Sequence, residues 1–281
     1  MIVLRWASAI AILGLAWILL GLPALGFIAA CYPEPDLGKP AAVTEDGSLL
    51  RCGASWRQRL GDADDGVWLV HLEGDAVARG QALGLLLGDE LVALETEMMR
   101  TFCTLVPSWP ARHVLLGLVG LANRDLPRYF HDDELLAIAA TSQALHATGR
   151  VPAHQPHYAR AVQYHALHDI SHTLIDNPLV RVPQIGCTAA AVAGGRTASG
   201  RLLVGRIFDF EGGRAFDRDK VVQRVVGDGD LDYLSVSWPG AIGVVTGLNR
   251  AGLWVSLNAA DTATTGTTGR PIILAAREIL A

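Results

Sequence analysis

The sequence predicts an α+β protein whose helical first half gives way to a strand-rich second half near Pro183. Three observations carry this. Between residues 76 and 101, apolar side chains recur at helical spacing through "LGLLLGDELVALETEMM". Beyond Pro183 the chain breaks into short β-runs divided by turns such as "RTASG", "GDGD" and "NRAG", the pattern of an antiparallel meander. At the front, no residue from Trp6 through Tyr32 is charged, and such a run is long enough to span a bilayer core of roughly 30 Å as a helix. With 281 residues the chain can bury a sizeable core, as one large domain or two small ones. Its net charge is −5 and its basic residues are scattered, without the Lys/Arg run or basic aromatic stripe of a nucleic-acid binder.

Taken in order, residues 1–31 read as a membrane segment, since the apolar run is longer than the ~7–15-residue core of a secretory signal. It is either an uncleaved signal-anchor or, because "IAAC" (28–31) is similar to a bacterial lipoprotein signal, a leader that ends at a lipid-bearing Cys31. Both place the globular part on a membrane surface outside the cytoplasm, which in a bacterium is the periplasm. Residues 32–50 form a Pro/Gly/acidic linker. "GVWLVHLEGD" (66–75) is a strand and turn, followed by helices at 76–101, 109–123, 132–147 and 155–174. The third of these opens on Asp132, Asp133 and Glu134, acids placed where the helix dipole favours them. Residues 51–175 are thus one strand and then mostly helix. The β-runs are 187–195, 202–210, 221–226, 233–240, 242–249 and 252–260, and a last helix starts at Pro271.

The cysteines are Cys31, Cys52, Cys103 and Cys187. The absence of C-x-x-C excludes a zinc ribbon or a thioredoxin-type motif. In an exported domain Cys52 and Cys103 could pair, which leaves Cys187 over. It opens a strand directly after Gly186, and Arg206 and Asp209 close the strand that follows. A thiol reacts when its thiolate is stabilised and substrate can reach it, and an Arg on the paired strand suits the first need. A local His base is missing. Cutting the chain before Cys187 would supply a base on the same residue, an α-amine with a pKa near ~7.7–8.0, as in N-terminal nucleophiles. Gly186, without a Cβ, tolerates the geometry in which the thiol attacks the preceding carbonyl.

"GCTAAAVAGGRTASGRLLVGRIFDF" (186–210) resembles the start of the mature chain in N-terminal-nucleophile (Ntn) hydrolases of the isopenicillin N acyltransferase/peptidase C45 group, which are related to choloylglycine hydrolases and acid ceramidase. "HLEGDAVARGQALGLLLGDEL" (71–91), "DDELLAIAATSQAL" (132–145) and "HDISHTLIDNPLV" (168–180) are similar to prosegment stretches of that group, and "WPGAIGVVTGLNRAGLWVSLNAA" (238–260) to a downstream run. The resemblance covers residues 66 to 281. It implies an αββα sandwich of antiparallel sheets, with residues 51–186 as the helical prosegment (alpha chain) and 187–281 as the start of the catalytic domain (beta chain), C-terminally truncated. It implies self-cleavage between Gly186 and Cys187, after which the two chains stay associated. Cys187 would be the nucleophile, Arg206 and Asp209 would line it with Asp209 holding the α-amine, and Asn258 would donate to the oxyanion. Arg277 matches a late Arg of the family more loosely, as a substrate or catalytic contact. Ile207 departs from the pattern, which carries Asn there. The implied substrate is a small-molecule acyl amide, with no cofactor.

Each residue also has a plainer reading. A lone Cys in a strand is a small core hydrophobe, Arg206 and Asp209 make a strand-end ion pair, Asn258 ends a strand, and Arg277 is a surface helix residue. A rival chemistry is the cluster His165, His168 and His172, on one helix face with Asp169 beside it and His154 and His157 upstream. Three such imidazoles can bind zinc. The alternative functions are therefore a tethered, non-catalytic binding protein of the same fold or a His-rich metal-binding module.

Overall fold

A computed structural model of the chain describes residues 14–15, 17–62, 66–151, 157–170, 186–209, 214–227, 232–258 and 269–281. The strands are β1 (Val43–Asp46), β2 (Leu49–Cys52), β3 (Ser55–Leu60), β4 (Val67–Glu73), β5 (Gly186–Val192), β6 (Leu203–Asp209), β7 (Val221–Val226), β8 (Asp232–Ser237), β9 (Thr246–Asn249) and β10 (Trp254–Ser256). The helices are α1 (Leu22–Ala29), α2 (Ala76–Leu86), α3 (Gly88–Leu105), α4 (Trp109–Ala122), α5 (Asp132–Ala147), α6 (His157–Tyr164), α7 (Arg214–Arg218) and α8 (Ile272–Leu280). The protein is α+β, as expected.

Eight strands form one sheet in the order β1-β2-β3-β4-β7-β8-β9-β10, while among the described residues β5 and β6 pair with each other alone. All neighbours in the large sheet are antiparallel except β4 and β7, which run parallel from Trp68↔Val221 to Glu73↔Val226. The second half is therefore not a free-standing meander. Its strands extend a sheet begun by the first half, which carries three strands more than expected. The expected linker ends in β1 and β2, and β3 follows. Asp46-Gly47 and Gly53 supply the turns, both glycines at positive φ (60° and 58°), and Asp-Gly between short runs is a hairpin signal that the acidic, Pro-rich flank obscures.

Two further boundaries differ. The helix expected at 76–101 is two helices, broken at Leu87 (φ −120°, ψ 17°), a residue that is fully buried. The run at 242–249 is a strand only from Thr246, because the preceding residues bond elsewhere: Val244 N–H donates to Ile273 O (2.8 Å) and Leu257 N–H to Val245 O (2.9 Å). The Cys52–Cys103 pairing that an exported domain would permit is not formed. Cys52 is buried in the core under β2, Cys103 is exposed on α3, and all four thiols are free.

One face of the sheet is covered by helices. Val70, Leu72, Val221, Val225 and Tyr233 pack against Leu83, Leu86 and Leu87. On α2, a Cβ at Gly80 would lie 2.2 Å from Ala137 O and one at Gly84 2.6 Å from Thr141 O. Only glycine lets α2 and α5 approach so closely, and the Thr141 hydroxyl closes the contact at 3.0 Å from Gly80 O. Helix α5 begins with a capping box between His131 and Glu134, and the wholly buried Glu134 accepts from Arg270 (2.6 Å) and Arg277 (2.9 Å). On the sheet's opposite face, Leu234, Val236 and Leu248 are exposed.

At the N-terminus α1 packs on α4 through glycines: a Cβ on Gly26 would lie 2.2 Å from Gly117 O, and one on Gly120 2.4 Å from Gly26 O. The outward residues of this pair, among them Leu25, Phe27, Ile28, Trp109, Leu116 and Leu118, are exposed. Among the described residues no single helix is long and apolar enough to cross a membrane, although α3 and α4 meet that measure as a pair bent by 118°. Residues 1–13, the front of the apolar run, lie outside the described residues, as do His154, His172, positions 171–174 of the fourth expected helix and most of the "GDGD" turn.

Candidate active site at the β5–β6 hairpin

The hairpin is built from small and β-branched residues, with Gly194 and Gly200 at positive φ in its turn. Its pairing runs from Gly186↔Asp209 through Cys187↔Phe208 and Ala189↔Arg206 to Val192↔Leu203. Val204, Arg206 and Phe208 are half-buried while Leu203, Gly205, Ile207 and Asp209 are exposed. Period-two alternation thus puts Arg206 and Phe208 on the face turned to the rest of the molecule.

On that face Arg206 Nη2 donates to Cys187 Sγ at 3.3 Å and also to the Leu257 carbonyl. Its guanidinium lies 4.4 Å over the Phe208 ring. Burial draws the Arg206 pKa below its ordinary value, and the Cys187 sulfur pulls the other way. Cys187 is half-buried, so its thiol is reachable.

Asp209 sits differently. It ends the other face of β6, exposed and opposite Gly186, with Oδ2 3.5 Å from where a Cβ on Gly186 would lie. It is thus next to the bond that precedes Cys187 but not beside Arg206. The same measurement qualifies the reading of Gly186. A side chain there would make only ordinary contacts, and Gly186 is not among the positive-φ glycines. Asn258 follows Leu257, the residue that anchors Arg206, but its own amide donates to Ser256 Oγ (3.0 Å) and the residue is exposed. Arg277 is engaged elsewhere, bonding Asp133 (2.9 Å) and Glu134 (2.9 Å), so helix packing alone accounts for it. Ile207, at the family's Asn position, is 60% exposed.

Phe208 leads from the thiol into a cavity that sequence reading missed. Its ring stands 5.3 Å from Trp238, and both line a space of about 150 Å³ between α3, α5, α6 and the sheet. The remaining lining is largely apolar, with Leu94, Met98, Ile138 and Phe216 among its walls. Its polar end holds Glu95, which accepts from Arg160 Nε (2.6 Å) and Tyr164 Oη (2.9 Å). Burial works against the Glu95 charge, yet Arg160 holds its carboxyl below the usual range. "WPG" lies in the run that resembles the family, but nothing in the sequence pairs Trp238 with α6.

His165 is not a free metal ligand. Its Nδ1 lies 2.7 Å from Ala161 O and its Nε2 accepts from Ile242 N–H (3.1 Å). Those two bonds require the neutral tautomer with the proton on Nδ1, and burial lowers its pKa to about 4. Among the described residues no three His, Cys, Asp or Glu side chains group as a metal site. Comparison of the chain with family models, curated proteins and solved structures found no match.

Proposed function

We propose that the protein is a self-activating cysteine Ntn amidohydrolase or acyltransferase acting on the linear amide bond of an acyl amide. The observation that carries the reading is the reachable Cys187 thiol held 3.3 Å from the Arg206 guanidinium at the first positions of a strand. In activation, Cys187 Sγ attacks the Gly186 carbonyl and the acyl group shifts from nitrogen to sulfur, freeing the Cys187 α-amine. Water then hydrolyses the thioester, leaving a Gly186 carboxylate and a free thiol. Asp209, on the strand opposite Gly186, is in position to hold the new ammonium.

In turnover the α-amine takes the thiol proton as the sulfur attacks the substrate carbonyl, and returns it to the departing amine. Its pKa near neutrality suits this exchange. Water or an acceptor amine resolves the thioester. Asn258 donates to the oxyanion after turning its amide from Ser256, and such a donor is worth about 2.7–4 kcal/mol of barrier. The αββα architecture is part of this proposal. The exposed Leu234, Val236 and Leu248 favour it, since an apolar sheet face calls for a covering layer. Membrane attachment is also part of it, supported by the outward apolar residues of the α1–α4 pair, and small residues at helix contacts are typical of membrane helices.

Intact-mass analysis tests the reading. Wild type is expected as two associated chains, the second beginning at Cys187. Cys187→Ser is to cut more slowly, and Cys187→Ala is to stay one chain without amidase activity. An Ala variant that is cut at the same bond and hydrolyses amides normally would sink the proposal. A single uncut wild-type chain would favour the non-catalytic binding protein.

A further inference from the structure

Buried polar atoms nearly always have a hydrogen-bond partner, and the cavity beside Phe208 breaks this rule twice. Among the described residues His157, 1% exposed, has no hydrogen-bond partner on either ring nitrogen, the Glu95 carboxylate standing 3.9 Å from Nε2. Ser237, also 1% exposed, has an Oγ with no partner among the same residues. Both line the same space. One comes from α6 and the other from β8, so two unrelated elements each leave an orphaned polar group in the wall of one apolar cavity. Leaving either unsatisfied is costly, and residues of phenylalanine or alanine type would fill these positions without that cost.

The volume sets the size of what can enter. A dry apolar cavity of about 150 Å³ accepts benzene, and this one measures about 150 Å³. The charge state sets its polarity. Burial lowers the His157 pKa to about 4, so at neutral pH one ring nitrogen donates and the other accepts. Glu95 is already matched by Arg160, so that guanidinium is not spare for an anionic guest.

We infer that the cavity binds a compact, ring-sized acyl group that carries a neutral hydroxyl, with His157 and Ser237 as the residues that select the hydroxyl. This rests on the acyl-amide reading of the neighbouring thiol and narrows its substrate. Phe208, cross-strand from Cys187 and part of the lining, then flanks the passage through which the bound acyl group's carbonyl meets the thiol.

The test is equilibrium binding of phenol, toluene and benzoate to uncut Cys187→Ala protein by calorimetry. A cavity with no polar partner to offer prefers toluene, because phenol must shed water. Here phenol is expected to bind about tenfold tighter than toluene, with benzoate weaker than both. His157→Phe and Ser237→Ala, each made separately, are to abolish or reverse the phenol preference. Ser237→Ala carries the test if the His157 variant does not fold. Phenol binding no tighter than toluene, benzoate binding as well as phenol, or a preference untouched in both variants would overturn the inference. Because binding is read in a chain that cannot be cut, its failure leaves self-cleavage standing, and failed cleavage leaves the binding result interpretable.

Discussion

Helices α2 and α5 and the β5–β6 hairpin are both made of small residues, yet they use them in opposite ways. In the helix pair, Gly80, Gly84, Ala137, Ala140 and Ala144 let two backbones touch, and Ala82, Ala139 and Ala144 are fully buried. In the hairpin, Ala189, Ala190 and Ala191 are exposed and, among the described residues, pair with no third strand. The helical half thus owes its rigidity to close contact, whereas the hairpin is held to the body through Arg206 and Phe208. The proposed chemistry lies at the least packed element, where a backbone rearrangement around Gly186 meets least resistance.

The largest expected effect is in the helical half. Glu134→Ala would remove the fully buried carboxylate that Arg270 and Arg277 share, leaving them only the more exposed Glu278 and Asp133. Breaking a buried pair from one side costs about 3–5 kcal/mol, and the urea midpoint should fall accordingly. An unchanged midpoint would mean that the network contributes nothing to rigidity.

Next comes a pH effect confined to the same half. His165 takes up its proton near pH 6.5 when unfolded but only at about 4 when folded. The unfolded state therefore binds more protons between these values. Stability is complete above the upper one, falls as the pH drops through the window, and levels off below the lower one. The loss is about 3 kcal/mol for such a shift, and His157 adds to it in the same direction. Denaturation curves across that window measure the sum. A His165 imidazole titrating near 6.5 by NMR in the folded protein would refute it.

The smallest effect belongs to the hairpin. Ile207→Asn restores the residue type of the resembling family at an exposed position and should change stability by no more than about 0.5 kcal/mol. A much larger loss would show that this face of the hairpin is packed in solution and would erase the contrast.

What was legible in the sequence follows the same division. Helices α4 and α5 and strands β6, β7 and β8 announce themselves through local periodicity, and the Cys187–Arg206 contact through two positions on paired strands. Asp209 on the opposite face is a consequence of its odd spacing from Arg206, which alternation alone could have revealed. The parallel seam, the loss of ladder pairing at 242–245 and the cavity around His157 were not legible. Each depends on partners distant in the chain, such as Ile273 for Val244 and Glu95 for His157, and local pattern carries no information about those.

The parallel pairing of β4 with β7 has a consequence for the order of events in the protein's life. A break at Gly186–Cys187 leaves β1 to β4 on one chain and β7 to β10 on the other, all within one continuous sheet. Long-range pairings of this kind form slowly, because the loop between the partners must close first. While the chain is whole, that closure is intramolecular and independent of concentration. Once it is cut, the same seam can be rebuilt only by two molecules meeting, each with an unpaired strand edge open to aggregation. Under the proposed self-cleavage, maturation would thereby be a ratchet: the sheet would have to be complete before the bond breaks, and a cut protein that unfolds would be lost rather than recycled.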